Sequence, residues 1–134
     1  MALNMIRQLE YWQNTAERNM TTASYLLRGR RYDACLFFCH LAIEKLLKGL
    51  VVAHTKDFAP YLHNLPRLGE LAGLVLRAKQ AQQLKEITAF NIAGRYDNEK
   101  YAFYKKCTAA YTKRQYAICQ QIYLWLKREY QKKS

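Results

Sequence analysis

The sequence predicts an all-α protein, an up-and-down bundle of four to five helices. Along most of the chain, apolar residues recur at the i, i+3, i+4 and i+7 spacing of an α-helix. No segment shows the period-two alternation that is typical of a half-buried strand. With 134 residues and 51% hydrophobic content, the chain can build one real core but hardly two. We therefore expect residues 1–134 to form a single helical domain.

The first predicted helix covers about residues 3–28. Its apolar side chains share one side of a helical wheel, namely Leu9, Trp12, Ala16, Ala23 and Leu27. Gly29 follows directly, among three arginines, and a glycine just past the last periodic residue is a typical helix C-terminus.

The second predicted helix covers about residues 32–54, and its apolar stripe is wide enough for the central helix of a bundle. The stripe consists of Leu36, Cys39, Ile43, Leu46, Leu47 and Leu50. Residues 55–66 hold both prolines of the chain and are predicted to be its one substantial loop.

Three further helices are expected after this loop. Two short ones are predicted over about residues 66–76 and 77–92, and the proline at the head of the first suits an N-terminal helical position. A polar connection with one glycine, residues 93–99, then precedes a last long helix over about residues 101–131.

The chain is strongly basic, and the charge is unevenly distributed. Its formal net charge is +12, from 22 Lys and Arg against 10 Asp and Glu. Residues 100–134 hold nine basic residues against Glu129 alone, so +8 of the charge lies on the last predicted helix and its lead-in. Such a charge indicates a polyanionic partner and says nothing about the fold. The 13% aromatic content argues against disorder, and five Gly with two Pro exclude a collagen-like chain.

Targeting segments, a membrane span and a metal are not expected. No run approaches eighteen apolar residues, and the N-terminus does not resemble a signal peptide. All cysteines lie within helical patterns: Cys35, Cys39, Cys107 and Cys119. The first two are four residues apart, which can hold a metal but is also ordinary core spacing. We expect buried free thiols, which favour a reducing, cytoplasmic location.

Two stripes with seven-residue spacing run along the last predicted helix. One consists of Tyr116, Tyr123 and Tyr130, and the other of Tyr104, Tyr111, Ile118 and Trp125. The two stripes cannot both face the same strip of the core. In one interpretation, one stripe is a stacking surface for nucleotides or single-stranded nucleic acid. In the other, one stripe packs in the bundle and the second in a helical dimer interface.

The second predicted helix also carries a polar column. His40, Glu44 and Lys48 are successive i, i+4 neighbours at the border of the apolar stripe, and Lys45 points to the opposite side. A Glu–Lys pair at this spacing is usually a modest stabilising contact, but the column could instead line a groove or dimer seam where Lys48 meets a phosphate. His63, just before a predicted helix, either fixes its loop by bonding backbone or acts in catalysis. Zinc could be bound by His40, Glu44 and His63, but the spacing of these residues is not diagnostic of a zinc site.

This region resembles the HEPN domain family, named for nucleotide binding in higher eukaryotes and prokaryotes. The family's Ala-x-Glu-Lys-x-x-Lys pattern and its His-x-Leu-x-x-Leu signature match Ala42, Glu44, Lys45, Lys48, His63, Leu65 and Leu68. Arg95 and Tyr96 resemble a third element, an Arg-Tyr pair followed by an acidic residue. The resemblance covers almost the whole chain. It implies a nucleotide or RNA ligand, a homodimer, and a small nucleotidyltransferase partner in a toxin–antitoxin-like pair.

The family also contains metal-independent ribonucleases with an Arg-x4-6-His motif. There, arginine stabilises a developing phosphorane charge while histidine moves the 2′-hydroxyl proton. In this chain Arg95 is followed by Tyr96-Asp97-Asn98-Glu99-Lys100-Tyr101, and no histidine occurs after His63. Phosphate-binding glycine loops and other common enzyme motifs are absent as well. We therefore expect the protein to hold its ligand rather than cleave it.

The candidate ligand-binding residues are Lys45, Lys48, His63, Arg95, Tyr96, Lys105, Lys106 and Lys113. If the protein is an enzyme, the candidate catalytic residues are Arg95, Tyr96 and His63. Two alternative functions stay open: a ribonuclease with a non-standard site around Arg95, and a structural adaptor whose basic face binds an acidic protein.

Overall fold

The structure is a computed structural model that describes residues 2–133. Within these residues it contains helices and no strand, so the predicted all-α class is confirmed. The six helices are α1 (Leu3–Arg28), α2 (Tyr32–Thr55), α3 (Leu65–Leu71), α4 (Ala78–Thr88), α5 (Asp97–Lys106) and α6 (Ala109–Lys133). The bounds of α1 and α2 lie within one residue of the prediction, whereas α3 and α4 both end earlier than predicted.

The turn between α1 and α2 closes with two backbone hydrogen bonds. The N–H of Arg30 donates to the carbonyl of Leu27 over 3.1 Å, and that of Arg31 donates to the carbonyl of Leu26 over 2.8 Å. This is the Schellman pattern that ends many helices. The left-handed residue is Arg30, with φ +60°, and not the predicted Gly29, whose φ is −82°.

The central helix is α2, which contacts α1, α3, α5 and α6. Most of its length is buried, from Cys35 to Ala53. Gly49 permits the close approach of α6, because a Cβ at this position would lie 2.5 Å from the ring of Tyr130. The predicted role of α2 in the bundle is therefore correct.

The stripe of Tyr116, Tyr123 and Tyr130 packs α6 against α1 and α2. The Tyr130 hydroxyl donates to the carbonyl of Leu9 over 2.5 Å, and the Tyr123 hydroxyl donates to the Glu17 carboxylate over 2.6 Å. Burial raises the pKa of both phenols. These contacts run in opposite directions along α1 and α6, so the two helices are antiparallel.

The prediction of one long helix over residues 101–131 is wrong. The chain breaks at Cys107, which ends α5, and α6 begins again at Ala109. The Thr108 hydroxyl accepts a hydrogen bond from the N–H of Tyr111 over 3.2 Å and so caps the new helix. Tyr104 consequently lies on α5, and only Tyr111, Ile118 and Trp125 of the second stripe share α6.

All four cysteines are buried free thiols, as predicted.

None of the helices in the described part of the chain combines the length and apolar character that crossing a bilayer requires. The buried apolar residues of the six helices form one cluster.

Candidate functional site

A cleft of about 590 Å³ opens between the end of α4, the helix α5 and the start of α6. Arg95 and Lys106 bring two positive charges to its lining, and Glu86 and Glu99 bring two negative charges. Half-buried Tyr111 adds an aromatic ring. The cleft thus combines cations, carboxylates and a ring within one cavity.

A tight turn places Arg95 in this cleft. Gly94 adopts φ +80°, in the left-handed region that favours glycine, and the N–H of Arg95 donates to the carbonyl of Ile92 over 3.2 Å. The Nη2 of Arg95 then donates to the carbonyl of Ala89 over 3.1 Å, which fixes the guanidinium against the end of α4. A guanidinium has five N–H donors, so this bond leaves others for a ligand.

Lys106 reaches the same cleft from the last turn of α5. Its Nζ lies 5.3 Å from the centroid of the Tyr111 ring, within cation–π distance. Burial raises the pKa of Tyr111, so the ring is uncharged at neutral pH. A flat ligand on this ring would lie beside a positive charge.

Three other predicted residues lie outside the cleft. Tyr96 is the N-cap residue of α5 and is 79% exposed. Lys105 lines a separate pocket beside Tyr104, with its Nζ 5.5 Å from the Tyr101 ring centroid. Lys113 is exposed on α6.

The predicted polar column of α2, His40, Glu44 and Lys48, is buried. The side chains of Glu44 and Lys48 are only 7% and 10% exposed. The Nζ of Lys48 lies 3.5 Å from Glu44 Oε2 and 5.9 Å from the Trp12 ring centroid. Lys48 is thus committed to a buried ion pair, which is the stabilising interpretation of the Glu–Lys spacing.

His63 belongs to the same cluster. Its Nδ1 lies 2.7 Å from Glu44 Oε1, while 62% of its side chain is exposed. A carboxylate only accepts hydrogen bonds, so Nδ1 is the donor, and in the neutral ring Nε2 is left as a proton acceptor. His63 thus ties its loop to α2 through the Glu44 carboxylate, whereas the loop-fixing alternative predicted a bond to backbone.

His40 is fully buried, and neither of its ring nitrogens has a hydrogen-bond partner. Its Nε2 lies 3.7 Å from Glu44 Oε1. Burial, which disfavours the charged imidazolium, lowers the pKa of His40 to about 4. Although His40, Glu44 and His63 converge, no set of three His, Cys, Asp or Glu in residues 2–133 is arranged to hold a metal ion.

The two clusters are separate. The cleft around Arg95 does not include His63, whose hydrogen-bond partner is Glu44. The proposed acid–base combination of Arg95, Tyr96 and His63 therefore does not form within one cavity.

Lys45 is half-buried on α2, and its pKa is lowered by burial and by the charge of Arg18.

A second cavity of about 600 Å³ lies between α4 and α6 and was not anticipated from the sequence. Arg77, Lys79, Trp125 and Arg128 are among its lining residues. The seven-residue spacing of Ile118 and Trp125 was a usable signal for one wall. The opposite wall depends on the packing of α4, which the spacing does not reveal.

The fold and these clusters define a helical-bundle protein whose central helix holds a glutamate between a lysine and a histidine from the next loop. The HEPN domain model matches residues 9–129, nearly the whole chain, and the chain belongs to the HEPN domain family. Comparisons with curated proteins and with solved structures gave no significant match. Family membership relates the chain in general terms to nucleotides and RNA.

Proposed function

We propose that the protein binds RNA or nucleotides, without cleaving them, in the cleft formed by α4, α5 and α6. The observation that carries this proposal is the convergence of Arg95, Lys106 and Tyr111 on one cavity. Of the eight candidate ligand-binding residues named from the sequence, Arg95 and Lys106 are the two that line this cleft. Lys45, Lys48, His63, Tyr96, Lys105 and Lys113 are not part of the proposed site.

Each group in the cleft matches one part of a nucleotide. The free guanidinium N–H groups of Arg95 and the ammonium of Lys106 suit phosphate oxygens. The Tyr111 ring suits a base, since base–aromatic stacking accepts every base. Glu86 and Glu99 can accept hydrogen bonds from exocyclic amino groups, as carboxylates do from cytosine. The balanced charge of the cleft therefore fits a whole nucleotide better than a bare phosphate.

The groups near Arg95 support binding of the RNA or nucleotide without its cleavage. Among the described residues that line the cleft there is no histidine, and no histidine follows His63 in the sequence. Tyr111 has a raised pKa and is therefore a poor general base at neutral pH.

The direct test is a binding titration with a labelled single-stranded RNA, followed by fluorescence anisotropy. Arg95→Gln removes a charged hydrogen-bond donor, worth about 1.5 to 3 kcal/mol, so affinity should fall about ten-fold or more. Arg7→Gln makes the same change on an exposed position of α1 and should leave affinity within about two-fold. Equal losses in the two variants, or none in Arg95→Gln, would contradict the proposed site.

Family membership supports a further part of the proposal. We infer a cytoplasmic homodimer that pairs with a small nucleotidyltransferase in a toxin–antitoxin-like module. Analytical ultracentrifugation of the purified protein, alone and with a nucleotidyltransferase encoded beside it, tests both associations. A monomer that shows no association with that enzyme would contradict this part and leave the RNA site untouched.

A ribonuclease is the second candidate function, favoured by the hydrogen bond between Glu44 and His63. Glu44 holds His63 in the tautomer whose Nε2 can take a proton from a 2′-hydroxyl, as carboxylates orient catalytic histidines elsewhere. Incubating the protein with labelled RNA in EDTA tests this candidate. Cleavage that His63→Gln abolishes and Lys127→Ala preserves would establish it, and intact RNA would exclude it.

A further inference from the structure

The second cavity, between α4 and α6, differs in charge from the cleft. Three basic residues, Arg77, Lys79 and Arg128, line it, and all three are exposed. Among the described residues of this lining there is no carboxylate. It is therefore the more electropositive of the two cavities, and it lies beside half-buried Trp125.

The two cavities follow one another along the same pair of helices. On α6, Tyr111 and Gln115 line the cleft, whereas Ile118 and Trp125 line the second cavity. These positions are spaced i, i+4, i+7 and i+14, so they share one face of the helix. On α4, Gln83 lines the second cavity and Glu86, three residues later, lines the cleft.

The spacing places the cleft and the second cavity one after the other along α4 and α6, and the two together are called the trough below. From Tyr111 to Arg128 the trough follows α6 for about 25 Å, at about 1.5 Å per residue. Tyr111 and Trp125 place an aromatic ring in each section. A trough of this length is longer than a single bound nucleotide.

We propose that the trough holds one RNA strand of several nucleotides, with the second cavity as its phosphate-binding section. Arg77, Lys79 and Arg128 contact consecutive backbone phosphates, and Trp125 stacks on an unpaired base. The amide groups of Gln83 and Gln121, which also line this section, can hydrogen-bond base edges. This inference rests on the proposed function, because the cleft around Arg95 is the other section of the same trough.

Charge and chemistry favour this occupant over the alternatives. A second copy of the chain would bring another +12 of formal charge to the electropositive trough, so the inferred homodimer would form through a different face. An acidic protein segment would neutralise the cations, but only a nucleic acid carries an anionic phosphate and an aromatic base on every unit, as the repeated cations and rings of the trough require. Because stacking requires an unpaired base, a single strand fits better than a duplex.

The test measures the affinity for ligands of two lengths, in the wild type and in variants that alter one section of the trough. Wild-type protein should bind a ribo-oligomer of about eight nucleotides at least about ten-fold more tightly than a mononucleotide. Lys79→Gln/Arg128→Gln should weaken the oligomer about ten-fold or more and leave mononucleotide affinity within about two-fold. Arg7→Gln/Lys56→Gln removes two exposed charges outside the trough and is the matched control.

Trp125 provides a second readout that does not depend on charge. Oligomer binding should quench the tryptophan fluorescence of the wild-type protein, and Trp125→Phe should remove most of the quenching while Trp12 remains. Because Phe keeps an aromatic ring at this half-buried position, the variant is expected to fold, and a thermal unfolding curve like that of the wild type is the check.

Each contradicting outcome identifies which proposal fails. Equal affinity for the oligomer and the mononucleotide, or an equal loss in the two double variants, overturns the trough and preserves the cleft. Failure to bind ligands of either length overturns the proposed function itself. Competition by polyglutamate at the same concentration as RNA overturns the RNA assignment in favour of an acidic protein.

Discussion

Glu44 is the residue around which the polar interior is arranged. Its carboxylate accepts a hydrogen bond from His63 and lies 3.5 Å from the ammonium of Lys48, so a buried charge has two partners. This arrangement ties the loop before α3 to the central helix. The sequence spacing predicted the pairing with Lys48, and only the fold places His63, nineteen residues away, on the same carboxylate.

His40 makes the stability of the protein dependent on pH. Its pKa is about 4 in the folded state against about 6.5 when unfolded, so the unfolded chain binds the extra proton first as pH falls. The stability linked to neutral His40 is complete above about pH 6.5 and is lost as the pH falls towards 4. At about 1.4 kcal/mol per pH unit, this loss amounts to about 3 kcal/mol.

Urea unfolding at several pH values measures this effect. In a His40→Leu variant, the decline of the free energy of unfolding between about pH 6.5 and pH 4 should be shallower than in the wild type. The comparison concerns the slope, so it holds even if the substitution changes the overall stability. Parallel pH profiles would show that His40 is not the group responsible.

At the scale of elements, the N-cap of α6 is the feature that the helical periodicity did not predict. Thr108→Ala removes the hydroxyl that accepts the N–H of Tyr111, and N-cap losses typically cost about 1 kcal/mol. Thr21→Ala is the matched control, because its hydroxyl bonds only a carbonyl within α1. Thermal unfolding should show a lower midpoint for Thr108→Ala and little change for Thr21→Ala. The reverse order would contradict the cap.

The sequence was informative where a helix buries a broad apolar stripe and is bounded by turn residues. Both conditions hold for α1 and α2, and their bounds were predicted within a residue. The break at Cys107 was missed because Tyr104 and Tyr111 keep the seven-residue spacing across it. Thr108 followed by a helical pattern is an N-cap signal that could have revealed it.

The candidate site was predicted less completely, for a physical reason. Arg95 and Lys106 were named because of the family resemblance and the local charge, and both line the cleft. Arg77, Lys79 and Arg128 were not named, because they converge only through the packing of α4 beside α6. Spacing along one helix cannot show which helix lies opposite.

At the scale of the whole molecule, the aromatic stripes of α6 have different environments. Tyr123 and Tyr130 hold the bundle together, whereas Tyr111 and Trp125 line the trough. The basic charge beside the trough comes from α4 and α5 as well as from α6. The +8 of residues 100–134 is thus one part of a surface built by three helices.

The salt dependence of RNA binding tests the account most directly. If the five trough cations, Arg77, Lys79, Arg95, Lys106 and Arg128, each neutralise a phosphate, log K should fall against log salt concentration with a slope of about −3.5. Arg95→Gln should make the slope shallower by about 0.7, and Arg7→Gln should leave it unchanged. A slope near zero, or one that Arg95→Gln and Arg7→Gln change equally, would contradict RNA binding in the trough.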